Sequence, residues 1–172
     1  DNQGHLIAAD RDQDSIAYLK SKFSHPQLTI LKSNFKSLRT EISQPDRSFA
    51  FDGIIADLGV SSHQLDSKDR GFSFKKDAEL DMRMDQSTGI SAKDWINRAP
   101  EDEISEVIWK YGEESYSRRI TKAIIEQRSI KPFISTLELA DLIFEVKKHA
   151  IKKEKKPPAT KTFQAIRIHI ND

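Results

Sequence analysis

HLIAADRDQDSIAYLKSKFSHPQLTIL, residues 5–31, is the stretch from which the fold is read. Its first apolar run, His5 to Ala9, stops at Asp10. Ile16, Leu19 and Phe23 then recur at helical spacing until His25-Pro26, and Leu28 to Leu31 forms a second short run. Two strand-length runs flanking one helical pattern predict parallel strands joined by a helical crossover. Phe51 to Leu58 (FDGIIADL), closed by Gly59, predicts a third strand. Continuous rather than alternating apolar runs are what strands covered on both faces require. The first part of the chain is therefore expected to be an α/β parallel sheet.

From about residue 90 the period becomes helical throughout. Ser91 and Asp94 have capping-box-like spacing ahead of Trp95 and Ile96. Ile104, Val107, Ile108 and Tyr111 form an i, i+3, i+4, i+7 stripe closed by Gly112, and Tyr116, Ile120, Ala123 and Ile124 repeat it. Ser135 with Glu138 caps a helix running through Leu139, Leu142, Ile143 and Val146, and Phe163, Ile166 and Ile170 begin another. Trp95 and Trp109 are expected in the core. Between the halves, residues 59–89 are polar and glycine-punctuated, with little periodicity; loops that long are usually functional or disordered. The expected division is 1–89, a sheet with an active-site loop, and 90–172, all-helical.

Composition narrows the function classes. The 172 residues carry 28 Lys+Arg against 27 Asp+Glu, a net charge of +1, which argues against indiscriminate nucleic-acid binding. No apolar run approaches the ~18 residues of a membrane span. With no cysteine, these residues hold no disulfide, thiolate metal site or cysteine nucleophile. The five histidines share no metal-ligand spacing, so no metal is assigned. A soluble, cytoplasmic protein is the expectation. The chain begins at Asp1 and its only methionines are Met82 and Met84, so it reads as an internal piece of something longer. The basic residues are concentrated at 147–161, where seven lysines face Glu154 alone. Such a run is either a phosphate-contacting segment or a solvated loop.

In open parallel sheets ligands bind outside the carboxyl ends of the strands. Asp10 and Asp57 stand at such ends. Asp10 is either a ribose-binding carboxylate or a helix N-cap, and Asp57-Leu-Gly-Val-Ser-Ser62 is either a ligand-binding turn or a serine-capped one. The following loop alternates charges with aromatics and methionines, a pattern that needs specific salt bridges or a ligand to hold it.

Five blocks carry a resemblance: Asp57-Leu-Gly-Val-Ser-Ser-His-Gln-Leu-Asp66, Arg70-Gly-Phe-Ser-Phe74, Leu80-Asp-Met-Arg-Met-Asp85, Tyr111-Gly-Glu-Glu114 and Pro158-Ala-Thr-Lys-Thr-Phe-Gln-Ala-Ile-Arg-Ile168. Together they resemble the small-subunit (16S) ribosomal RNA cytosine-N4 methyltransferases of the RsmH (MraW) family. The blocks run in order over nearly the whole chain, although Ala78-Glu79 stands where the family usually has glycine and proline. The resemblance implies a Rossmann-like core using S-adenosyl-L-methionine, with an all-helical inserted domain. HLIAAD, LTIL and FDGIIADL would be strands two, three and four, and the family's glycine-rich loop after strand one would lie before Asp1. It further implies that Asp10 holds the ribose, Phe35 lies near the adenine, and Asp57 and Gln64 line the cofactor site.

A cytosine amino nitrogen is a poor nucleophile, so its methylation rests on positioning and hydrogen-bond acceptors rather than on a metal or a covalent intermediate. Asp57 is the candidate acceptor, either for that amino group or for the cofactor's amine, with Ser61 and Ser62 shaping the pocket. Methylation at C5 normally needs a cysteine, which these residues lack. For RNA, Arg70, Phe72 and Phe74 are candidates for stacking an unstacked base, or else interior residues of a folded loop. Lys152, Lys153, Lys155, Lys156, Lys161 and Arg167 are candidates for contacts to ribosomal RNA or an assembled small subunit. Arg83 reads as a structural clamp between Asp81 and Asp85. The rival readings are a non-catalytic RNA-binding fragment and a different nucleotide-binding enzyme, such as an NAD-dependent dehydrogenase sharing only Asp10.

Overall fold

The computed structural model describes residues 4–42, 51–149 and 157–171. It divides into two units, Asp1–Leu58 and Gly59–Asp172. In the first, β1 (Leu6–Asp10) and β2 (Leu28–Lys32) are parallel and paired from Leu6↔Leu28 to Asp10↔Lys32. The helix α1 (Gln13–Lys22) crosses between them, and α2 (Phe35–Ile42) follows β2. The start of α1 is fixed by Asp12, whose carboxylate accepts the Asp14 N–H at 3.0 Å. Lys20 and Lys22 sit in its last turn, where cations complement the helix dipole. Ile16, 2 % exposed, is the side chain that α1 buries.

The parallel pair was legible; its coverage was not. Leu6 is 63 % exposed, so β1 is not enclosed on both faces. The third expected strand is corrected too. Residues 51–61 form no strand, and Ile54 and Ile55 are 83 % and 99 % exposed. A strand is held by a neighbour's backbone, and among the described residues no strand offers one to this segment.

The second unit is helical: α3 (Ser62–Asp66), a 3₁₀ turn, α4 (Ala92–Arg98), α5 (Glu101–Gly112), α6 (Ser117–Ile130), α7 (Thr136–Lys147) and α8 (Thr160–Asn171). The two compact units meet between Leu58 and Gly59, and the long loop is built into the helical core. Phe72, Leu80 and Met82 are fully buried. Backbone bonds Leu80 N to Ile134 O (3.0 Å), Thr136 N to Ala78 O (2.9 Å) and Ala92 N to Asp81 O (2.7 Å) stitch it to the segments leading into α4 and α7. Ser135 and Glu138 make the reciprocal capping box that their spacing predicts, and Ser91 accepts from the Asp94 N–H. Gly112 lets α5 and α8 cross closely: a Cβ there would sit 2.6 Å from the Lys161 carbonyl oxygen.

Trp95 is buried as expected, but Trp109 is 65 % exposed. Five residues beyond Ile104, it lies about 140° around α5 from the buried stripe. Lys147 fits neither reading of the lysine cluster, phosphate contact or solvated loop. It and Glu114 are each 1 % exposed and paired at 2.7 Å, and Lys147 Nζ donates to the Pro158 carbonyl at 3.2 Å. Removing either partner would strand a buried charge, so the two act as a unit.

Candidate functional site

The carboxyl edge of the parallel pair collects the groups expected to meet a nucleoside. β1 ends at Asp10 beside Lys32, and the Ser33 N–H donates to the Asp10 carbonyl at 3.0 Å. Asp10 Oδ1 accepts the Asp12 N–H at 2.8 Å, while its second carboxylate oxygen has no hydrogen-bond partner among the described residues. Asp12, not Asp10, caps α1, so the competing N-cap role of Asp10 is taken by its neighbour. Phe35 opens α2 three residues after the Asp10 partner Lys32 and is 62 % exposed. This edge therefore presents a half-buried carboxylate with one anchored and one open oxygen, and an exposed phenyl ring.

The other expected cofactor and catalytic residues belong to later segments of the chain. Asp57 is exposed in the segment that forms no strand. Ser61 and Gln64 belong to the second unit, where they cap α3 reciprocally: Gln64 N donates to Ser61 Oγ at 3.1 Å, and Ser61 N to Gln64 Oε1 at 3.0 Å. Gln64 is 4 % exposed and Ser62 is exposed in the first turn. The Ser-x-x-Gln spacing is itself a capping signature, so this structural role was available in the sequence.

In the loop after α3, Arg70 and Phe72 are interior. Arg70, 4 % exposed, donates through Nη2 to the carbonyls of Arg83 (3.2 Å) and Met84 (2.8 Å). Phe72 is fully buried, and its carbonyl accepts from Arg167 Nη1 at 2.8 Å. Of the two readings of Arg70 and Phe72, the structure has the interior one, and neither side chain is exposed to stack a base. Phe74 packs edge-on against Phe163, with ring centroids 4.7 Å apart. Arg167 is likewise spent on the loop backbone, and burial holds its pKa below the ordinary arginine value. Lys161 is exposed and donates to the Glu113 carbonyl at 2.9 Å. Lys152, Lys153, Lys155 and Lys156 lie outside the described residues.

Arg83 is a clamp, as its setting predicts, though on Asp81: Nε and Nη2 each reach a carboxylate oxygen at 2.8 Å. Burial raises the pKa of Asp81, but hydrogen bonds from the Arg83 side chain and backbone outweigh it, and the net shift is downward. Sequence reading missed the role of Asn171. Its amide donates to the Met82 carbonyl and accepts from the Met84 N–H, both at 2.7 Å. Met82, at φ 62° and fully buried, holds a backbone conformation uncommon for a non-glycine residue, and Arg70 and Asn171 pin it there. Among the described residues no group of acidic or histidine side chains could hold a metal ion, and no helix is long and apolar enough to cross a membrane.

A sequence model described as the MraW methylase family matches residues 1–172. The chain belongs to the MraW methylase family. It is 48 % identical over 170 residues to a ribosomal RNA small subunit methyltransferase H of Stenotrophomonas maltophilia, covering 98 % of this chain and 51 % of that protein. Proteins of the same name from Idiomarina loihiensis (44 % over 170 residues; 99 % of this chain, 53 % of that protein) and Ruthia magnifica (46 % over 169; 98 % and 54 %) are similar too. The chain spans about half the length of these MraW relatives.

Proposed function

We propose that this chain is part of a small-subunit ribosomal RNA methyltransferase that moves a methyl group from S-adenosyl-L-methionine to the exocyclic N4 of a cytidine. The observation that carries the reading is the edge of β1 and β2, where Asp10 offers an open acceptor and Phe35 an exposed ring, in a chain that matches the MraW family throughout. The proposed architecture is a Rossmann-like core with an all-helical insertion, divided in function near residue 90.

S-adenosyl-L-methionine supplies an electrophilic sulfonium methyl group. Asp10 and Phe35 would hold its nucleoside, with Asp57 and Gln64 completing the cofactor pocket. Asp57 would also accept the proton that the N4 amino group must lose, and Ser61 and Ser62 would border the base. An acceptor on the amino hydrogens returns electron density to a nitrogen whose lone pair is delocalised into the ring, which is electrostatic assistance rather than covalent catalysis. Lys161 and the lysines at 152, 153, 155 and 156 would contact phosphates of ribosomal RNA, free or in the small subunit, in the cytoplasm. The alternative, a non-catalytic RNA-binding fragment, is separated by product. The full-length protein, given small-subunit RNA or subunits and labelled cofactor, is expected to yield N4-methylcytidine on nucleoside digestion. Asp57→Asn should cut the rate at least tenfold while RNA binding persists. Label at another base position, or none with either substrate, would overturn the reading.

A further inference from the structure

With Arg70 and Phe72 turned inward, the surface of their loop is made by the residues between and around them. Leu65, Asp66, Ser67 and Lys68 from the end of α3, and Ser73, Lys75, Lys76 and Ala78 from the loop, enclose a shallow concavity of about 40 Å³. By the same measure one water needs roughly 10–15 Å³. The space therefore suits a group of a few heavy atoms and is too small for a base. Lys68, Lys75 and Lys76 are exposed, and among the described residues none of their ammonium groups forms an ion pair. Against them stands one carboxylate, Asp66, so the charged side chains of the lining sum to +2. Ser67 and Ser73 add hydroxyls.

The walls are held in place. Ser73 Oγ accepts the Lys75 N–H at 3.2 Å. Thr136 Oγ1 donates to the Lys76 carbonyl at 3.2 Å and accepts the Ala78 N–H at 3.1 Å. Arg167 fixes the Phe72 carbonyl, and Phe74 is packed on Phe163. A small, rigid, cationic hollow with hydroxyl donors is the chemistry that binds a phosphate.

We propose that this hollow receives a backbone phosphate of the substrate RNA, with Lys68, Lys75 and Lys76 as its cations. The proposal rests on the reading of the protein as an RNA methyltransferase. It adds a contact that positions the RNA without reading its sequence. The buried members of the loop are the frame, and the lysines are what the frame presents.

The test is a titration of the full-length protein with a labelled small-subunit RNA fragment across a salt series. A Lys68→Gln/Lys75→Gln/Lys76→Gln variant should bind roughly tenfold more weakly at low salt, and its slope of log Kd against log salt should fall by about one. Because all three side chains are exposed, its circular dichroism should match the parent. Lys122→Gln, on the exposed face of α6, should change neither Kd nor slope. Parental binding retained by the triple variant with an unchanged slope overturns the site alone. A loss confined to S-adenosyl-L-methionine affinity overturns it also, by assigning the lysines to the cofactor. A parent that does not bind the RNA overturns the functional reading and this site together.

Discussion

Two glycines with nearly the same backbone separate conformational strain from steric exclusion. Gly71 has φ 64° and Gly89 φ 70°. A Cβ on Gly71 would lie 2.1 Å from the Glu79 carbonyl oxygen and 2.8 Å from the Asp81 nitrogen, whereas one on Gly89 would meet nothing within 4 Å. Gly89→Ala should therefore lose only the left-handed penalty, about 1–2 kcal/mol. Gly71→Ala must also displace backbone and should lose ~3 kcal/mol or more. Chemical denaturation of the two variants checks the difference; equal losses would mean that the approach of residue 79 is not tight. At this scale the sequence reading located Asp10 and the Arg83 clamp, because each follows from its immediate neighbours. It misplaced Trp109 and left Arg70 and Phe72 between two readings, because which way a side chain faces depends on packing partners far along the chain.

Among the elements, the helices of the second unit were the most legible. The stripe at Ile104, Val107, Ile108 and Tyr111 became α5, and the Ser135–Glu138 box opened α7. Helical period and caps are local properties, readable in a short window. α3 was missed, since five residues give no period, and the FDGIIADL strand failed because an apolar run does not show whether another strand is there to pair with it. The loop of residues 80–85 is specified by charge, and pH probes it. Asp81 holds its proton less tightly when folded than in the unfolded chain. Its stabilising contribution is thus complete above the ordinary carboxylate pKa and disappears as pH falls through the lower folded value. Arg83→Met should be less stable than the parent at neutral pH, and the gap should close as pH falls below the ordinary carboxylate range. A gap independent of pH would show that the ion pair does not hold this loop.

For the molecule as a whole, the near-zero net charge conceals a local arrangement. Most of the cations in the described second unit are committed to neighbours: Lys147 to Glu114, Arg83 to Asp81, Arg128 to the carbonyls of Ile96 and Ala99. Among the described residues Lys68, Lys75 and Lys76 around the loop at 65–78 are exposed and form no ion pair, and the three share one hollow. The central claim nonetheless belongs to the first unit, where a strand–helix–strand edge is assigned to the nucleoside of the methyl donor. Calorimetric titration of S-adenosyl-L-methionine into the full-length protein and its Asp10→Asn variant tests it most directly. In the variant Kd should rise about tenfold, or ~1.4 kcal/mol, with the fold intact. An unchanged Kd in Asp10→Asn would contradict it.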